Sequence, residues 1–295
     1  MKFKSLLLAS VTFAALSAGA AMAAEKVSIM VGGYEKHIYL PAKLTEALGY
    51  FKDEGLEVEL LNEPAGVDAE DQMLAGAVQG VVGFYDHCVD LQSKGKFAES
   101  IVQFSQAPGE VEMVSTKHPE IKSFADVKGK TLGVTGLGSS TNFLTQYLSV
   151  KAGVAQGDFN TIAIGAGDTF IKAMQTDQVQ AGMTTEPTIS RLIKSGDAQV
   201  MVDMRTVEGT KAVLGGLYPA ASLYMSTAYV EGHKETVQKL ANAFVKTLKF
   251  INTHSADEIT DKMPKEFLVG DREGYVKALA AGKGMFTADG VMPAG

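Results

Sequence analysis

From Val27 to His254, short β-branched runs alternate with amphipathic runs of helical length. That alternation admits few architectures. Strands that are each followed by a covering helix make a largely parallel sheet, so the chain reads as an α/β fold. Val27–Val31 predicts the first strand, and Leu40, Leu44 and Leu48 then repeat at i, i+4 and i+8 on one helical face. Leu56–Leu61 alternates apolar and acidic residues as a half-buried strand does. Asp68–Val78 reads as a helix, Gly80–Tyr85 as a short buried strand and Asp86–Ser93 as the helix after it. Ile101–Phe104 and Val111–Ser115 are further strands. A second series follows Pro119, with strands at Lys130–Thr135, Thr161–Ile164, Val179–Thr184 and Gln199–Asp203 and helices at Asn142–Ala152 and Asp168–Thr176. A Gly-rich passage, Gly215–Pro219, leads to a strand at Ala221–Ser226. Val237, Leu240, Phe244, Leu248 and Ile251 then mark one face of a long helix over Thr236–His254.

Ahead of this series, Lys2 and Lys4 precede an apolar run from Leu6 to Ala18, and Ala21-Met22-Ala23 places small residues at −3 and −1. These are the parts of a cleavable signal peptide over residues 1–23, with cleavage expected after Ala23. The run is shorter than the about 20 residues a membrane span needs. No Cys follows it, so a lipid-modified N-terminus is not expected either. The mature chain is expected outside the cytoplasm. The sequence holds 27 Lys+Arg and 34 Asp+Glu; without Lys2 and Lys4 the formal charge is −9. An acidic, mixed surface argues against nucleic acid or an anionic membrane as partner. Cys88 is the sole cysteine, which rules out an intramolecular disulfide and a Cys-based metal site.

Several residues at the ends of these strands bear on binding. Gly138-Ser139-Ser140-Thr141 joins a strand to a helix. Unpaired N–H groups and the helix dipole there attract an anion, and small residues let it approach. A plain N-cap is the other reading of the same residues. It is neither a dinucleotide site nor a P-loop, since G-x-G-x-x-G and a following Lys are absent. Tyr34 and His37 follow the first strand, and Tyr85 and Asp86 follow the third; with Phe84 the tyrosines offer flat area for a planar ligand, although Phe84 reads equally as core. Two loop histidines, His37 and His87, are read as hydrogen-bonding residues before a metal pair. Neither metal nor cofactor is expected. Glu186, fixed by Pro187, either accepts from a ligand amine or amide or caps the next helix. Of three arginines, Arg191 reads as solvated and Arg205 is the one candidate clamp for a ligand carboxylate; if it faces outward, backbone dipoles must hold that group. Tyr218 is a wall of the cleft or part of a local turn. No G-x-S-x-G, H-E-x-x-H or Cys–His motif is present, so an enzyme is not expected.

The segment Pro41-Ala42, Leu48-Gly49-Tyr50-Phe51 and Gly55-Leu56-Glu57-Val58 resembles the first βαβ unit of bacterial solute-binding proteins for ABC importers. The resemblance is to the NMT1/THI5-like group, which handles nitrate, alkanesulfonates, taurine and thiamine-precursor pyrimidines. Leu74-Ala75-Gly76 with Gly83, the stretch Phe124–Val134, the Gly138–Thr141 turn and Glu186-Pro187 fall in the same order. It implies a type II periplasmic binding protein fold, with two α/β lobes joined by a hinge and the ligand cleft between them. Residues 24–109 plus 213–295 would form one lobe and 110–212 the other. It also implies a monomeric periplasmic receptor that captures a small organic anion or zwitterion (a sulfonate, a taurine-like compound, an aromatic carboxylate or a pyrimidine) and delivers it to an inner-membrane permease. Two alternatives stay open. One is a pyrimidine-precursor biosynthetic enzyme on the same fold, whose fungal form carries a Cys-rich motif that one Cys cannot supply. The other is a sensor subunit that presents its ligand to a signalling protein.

Overall fold

The computed structural model describes residues 25–268 and 270–294; the expected signal segment, with its cleavage after Ala23, lies outside them. The strands are β1 (Glu25–Val31), β2 (Leu56–Asn62), β3 (Gly80–Phe84), β4 (Ala98–Gln103), β5 (Glu110–Ser115), β6 (Thr131–Val134), β7 (Asn160–Ala163), β8 (Ala181–Thr185), β9 (Ala198–Met204) and β10 (Ala221–Ser226). The helices are α1 (Leu40–Ala47), α2 (Tyr50–Asp53), α3 (Gly66–Leu74), α4 (Tyr85–Ser93), α5 (Ser140–Lys151), α6 (Asp168–Gln175), α7 (Thr188–Ser195), α8 (Val207–Leu214), α9 (Thr227–Gly232), α10 (Lys234–Thr253), α11 (Ala256–Thr260) and α12 (Arg272–Gly282).

The strands form two five-stranded sheets of matching topology, ordered β2-β1-β3-β10-β4 and β7-β6-β8-β5-β9. In the first, β1 runs parallel to β2 and β3, and β10 runs antiparallel to β3 and β4. In the second, β6 runs parallel to β7 and β8, and β5 runs antiparallel to β8 and β9. The chain therefore leaves the first sheet after β4, builds the second, and returns as β10. This is the two-lobe α/β architecture of the periplasmic binding protein fold.

The sheets form where burial demands them. β3 is buried along its whole length, as a strand covered on both faces must be, and its sequence is accordingly a continuous apolar run with two glycines. On one face of the first sheet, Ile29, Leu40, Leu44, Phe104 and Leu223 join the buried stripe of α10, Val237, Leu240, Phe244, Leu248 and Ile251. The Phe244 ring lies 5.3 Å from Phe51 and 4.9 Å from Phe104, centroid to centroid. On the other face Met30, Val81, Leu91 and Tyr224 pack together. In the second sheet β5 divides two cores: Val111 and Met113 face one with Phe170, and Val114 faces the other with Leu144 and Leu148 beneath α5. By strand alternation Glu110 and Glu112 point to the α5 side. Gly133 and Gly182 are register partners of β6 and β8, and a Cβ on Gly182 would lie 2.6 Å from the Gly133 carbonyl.

Some boundaries move from their sequence-based positions. β4 starts at Ala98, because β10 pairs with it as far as Ser226. α3 begins at Gly66 and ends before Gly76, whose φ of +77° turns the chain out of the helix. α11 and α12 lie beyond His254, where the sequence pattern carries no strong period. Because Phe244 is fully buried between two aromatic rings, Phe244→Ala is expected to destabilise the fold by about 3–5 kcal/mol in urea unfolding. A loss below about 1 kcal/mol would show that this face of the sheet is not the main core.

Candidate functional site

The carboxyl ends of β1, β2, β3, β6 and β8 converge where the two sheets face each other, the place where open α/β sheets bind ligands. A small polar cavity lies there. Lys36, Ile38, Tyr39, Gly66 and His87 line it from the side of the first sheet, and Glu110, Thr135, Ser139, Ser140, Thr141 and Thr185 from the side of the second.

The second sheet contributes a helix N-terminus. Gly138 takes φ +88° and its N–H donates to Asn142 Oδ1 at 3.0 Å, which turns the chain from β6 into α5. The N–H groups of Ser140 and Thr141, the first two helical residues, have no acceptor within their own helix. The Thr141 hydroxyl is committed to structure: it accepts from the Thr135 N–H at 3.0 Å and lies 2.9 Å from the Thr135 hydroxyl. The Ser139 and Ser140 hydroxyls are buried and have no partner within the protein.

The first sheet contributes a buried ammonium. Lys36 is 3% exposed, and its Nζ donates to the Gly32 carbonyl at 2.6 Å and the Pro64 carbonyl at 2.8 Å. One of its three protons remains. Burial lowers its pKa to about 8, with Glu35, Glu110 and Asp68 opposing the shift. His87 Nδ1 lies 3.3 Å from Glu70 Oε2. Burial works against the charged ring, but Glu70 and Asp86 together outweigh it and raise its pKa. A Cβ on Gly66 would lie 2.9 Å from His87 Nε2 and 3.5 Å from the Tyr39 hydroxyl, so only glycine leaves this wall open. Glu110 is 2% exposed and its Oε2 has no partner within the protein. Burial and the nearby Asp86 raise its pKa well above the usual carboxylate range.

The structure thus brings Ser139, Ser140 and Thr141 together at one cavity, with Gly138 shaping the turn. Asp86 and Tyr218 meet beside it: the Tyr218 hydroxyl donates to Asp86 Oδ2 at 2.7 Å, Asp86 raises the pKa of Glu110, and burial with Asp86 and Glu110 raises that of Tyr218. His37 and Glu186 lie elsewhere. They border a second cavity of about 270 Å³, with Ile38, Gly109, Arg205, Ala278, Leu279, Gly282 and Met285. Ile38 is common to both cavities. The His37 ring nitrogens have no partner within the protein, burial lowers its pKa to about 3, and the ring stands 4.3 Å from Tyr275. His37 and His87 therefore face different cavities.

Of the two readings of Glu186, the structure carries the helix cap. The Glu186 carboxylate is held by the protein itself. It accepts from the Ser190 N–H at 3.0 Å, the Ser190 hydroxyl at 2.9 Å and Arg205 Nη1 at 2.8 Å, so it caps α7 and pairs an arginine. Arg205 also donates Nε and Nη2 to Asp203, which spends its fork inside the second sheet's own framework. The two tyrosines read as flat walls line neither cavity. Tyr34 stacks edge-on against Phe267 at 6.1 Å beneath the Lys43 ammonium, and burial, with Glu46 and Glu59, raises its pKa to about 12. Tyr85 opens α4 with its N–H bonded to the Ala220 carbonyl and its ring against the outer core. Lys36, Tyr39, Glu110 and Thr185 were not singled out by sequence; the nearest signal was the pair of acids in Glu110-Val111-Glu112, within a strand that is otherwise apolar.

Known proteins place this architecture. The NMT1/THI5-like family model matches residues 39–257. A solved structure from Bordetella bronchiseptica RB50 is 38% identical, covering 91% of this chain and 85% of that one, with a TM-score of 0.87. The periplasmic aliphatic sulphonate binding protein SsuA from Escherichia coli is 17% identical, covers 89% of this chain and 85% of that one, and superposes with a TM-score of 0.67. The 4-amino-5-hydroxymethyl-2-methylpyrimidine phosphate synthase of Legionella pneumophila subsp. pneumophila (strain Philadelphia 1) is 23% identical over 158 residues, 54% of this chain and about half (48%) of that protein. With the family pattern running from the first helix to the last turn of the long α10 and beyond, on two sheets of the expected order, the chain belongs to the NMT1/THI5-like family.

Proposed function

We propose that this chain is the extracytoplasmic substrate-binding subunit of an ABC importer. Residues 24–109 with 213–295 form one lobe, residues 110–212 the other, and the two close around a small organic anion or zwitterion. The reading rests on one juxtaposition: the open N-terminus of α5 on one side of the cavity and the buried Lys36 ammonium on the other. Each is half of an anion site, and neither lobe alone supplies both. Two contacts across the cleft fit a closing motion. The His37 N–H donates to the Glu186 carbonyl at 3.1 Å, and Lys194 pairs with Asp271 at 2.6 Å. Tyr218, on the return passage to β10, packs against the cores of both sheets, as a hinge residue does. Export by the signal segment and delivery to an inner-membrane permease complete the reading, and the named periplasmic neighbour supports it.

The synthase among the relatives keeps an enzyme in view. Cys88 gives that reading no support: it is buried in the outer core, lines neither cavity, and burial pushes its thiol up to about 12.

A thermal-shift panel of nitrate, sulfonates, aromatic carboxylates and pyrimidines, run on unfolded and refolded protein, tests the receptor reading. Ligand at 100 times its Kd is expected to stabilise the fold by about 2.7 kcal/mol. Slow chemical conversion of a stabilising compound would favour the enzyme instead. Lys36 sets the pH window for an anionic hit. Its charge is intact at pH 7 and is lost as pH rises through about 8, so the Kd is expected to weaken by roughly tenfold per pH unit above that value. Calorimetry at pH 7 and pH 9 reads this directly, and an unchanged Kd would remove Lys36 from the site.

A further inference from the structure

One group in the polar cavity is not accounted for by an anion site. Glu110 Oε2 is buried without a partner within the protein, on the same cavity as the Lys36 ammonium. A carboxyl group and an ammonium so placed would pair as ions if both were charged; burial instead favours the neutral form of Glu110, and the pair is not formed. Lys36 spends two protons on the Gly32 and Pro64 carbonyls, and Glu110 Oε2 is left without a donor although Ser140 lies close enough to act on the carboxyl group. The protein groups facing Glu110 are Lys36 from the loop after β1, Tyr39 just before α1, Asp86 from α4 with the Tyr218 hydroxyl bonded to it, Ser140 from α5, and Glu112 on its own strand. The unpartnered groups of the cavity are the last Lys36 proton, the Ser139, Ser140 and Thr185 hydroxyls, which can donate or accept, the α5 N–H groups, and Glu110 Oε2, the one unpartnered carboxyl oxygen among its lining residues.

We propose that Glu110 is the specificity-determining residue of this site, selecting ligands that carry an N–H donor beside their anionic group. This rests on the receptor reading above and narrows it. The anionic end lies against α5 and Lys36, and the ligand nitrogen donates to Glu110 Oε2. A bare anion satisfies the first set of groups and leaves Glu110 orphaned, which is the arrangement that rejects an analogue lacking one polar group. Glu186, held by Ser190 and Arg205, does not do this work.

Matched probes test it by calorimetry at pH 7: taurine against ethanesulfonate and β-alanine against propionate, with wild type and Glu110→Gln. In wild type the aminated member of each pair is expected to bind at least tenfold more tightly. In Glu110→Gln that preference is expected to shrink to about twofold. Equal binding within each pair, or a preference that survives Glu110→Gln, overturns the role of Glu110 and leaves the receptor reading standing. A second measurement covers a variant that fails to fold and titrations that are all silent. The small molecule carried through native purification is released by denaturing wild-type protein and identified by mass spectrometry. A molecule with an anion and an N–H group supports the proposal, and an anion without N–H overturns it. Silent titrations with no carried molecule overturn the receptor reading itself and the proposal with it.

Discussion

The cleft depends on the burial of Lys36. Its ammonium ties the loop after β1 to the loop after β2 by donating to Gly32 and Pro64, and Gly33 lets the loop wrap its stem: a Cβ there, at φ +121°, would lie 2.7 Å from Lys36 Cε. The turn that follows takes its position from this anchor. It sets His37, whose N–H reaches the Glu186 carbonyl of the other sheet, and then Ile38 and Tyr39, which line the polar cavity. A buried ammonium is unfavourable unless partnered, and two carbonyls are less than a counter-charge. The remaining deficit is what makes the group useful. It holds a positive charge in a low-dielectric cavity, where a ligand anion gains far more from it than from a lysine at the surface.

The second cavity has a different character. Ile38, Ala278, Leu279 and Met285 give it apolar walls, and His37 is kept neutral by burial. The Glu186–Arg205 pair closes one side and is internally satisfied, so it adds rigidity more than field. The two cavities share only Ile38 as a wall. Charge is therefore concentrated in one compartment, and the neighbouring one is left to packing between α12 and the second sheet.

The sheets could be read from sequence because their determinants are local. β3 is a continuous apolar run, α10 repeats its apolar residues with a helical period, and the Gly138–Thr141 turn has small hydroxyl residues where a helix begins. Much of the site could not be read this way. Lys36 and Glu110 are charged residues beside apolar ones, and the ordinary expectation places such side chains in water. What buries each of them is the approach of the two sheets, which brings Lys36 and Ser140, more than a hundred positions apart, to one cavity. Glu186 had two readings in sequence, and the one it takes, capping α7, is local, while its second partner Arg205 lies 19 residues on, beyond any local pattern. Tyr34 and Tyr85 show the limit of reading a side chain from its loop. Both follow strands whose ends meet the cleft, yet one turns toward Phe267 and the other into the outer core.

Under the proposed function, closure of the cleft has to be conditional, and the orphaned groups supply the condition. When the lobes are apart, water satisfies Ser139, Ser140, Glu110 and the last proton of Lys36. Closing strips that water away, and the protein offers these groups no replacement. Each unsatisfied polar group is unfavourable by about 1–3 kcal/mol, while 1.4 kcal/mol already moves an equilibrium tenfold. A ligand that supplies the missing partners removes the penalty only in the closed form, so it binds that form preferentially and shifts the population toward it. In that reading the polar groups left unpaired in the cavity are the means by which the fold distinguishes a filled cleft from a vacant one.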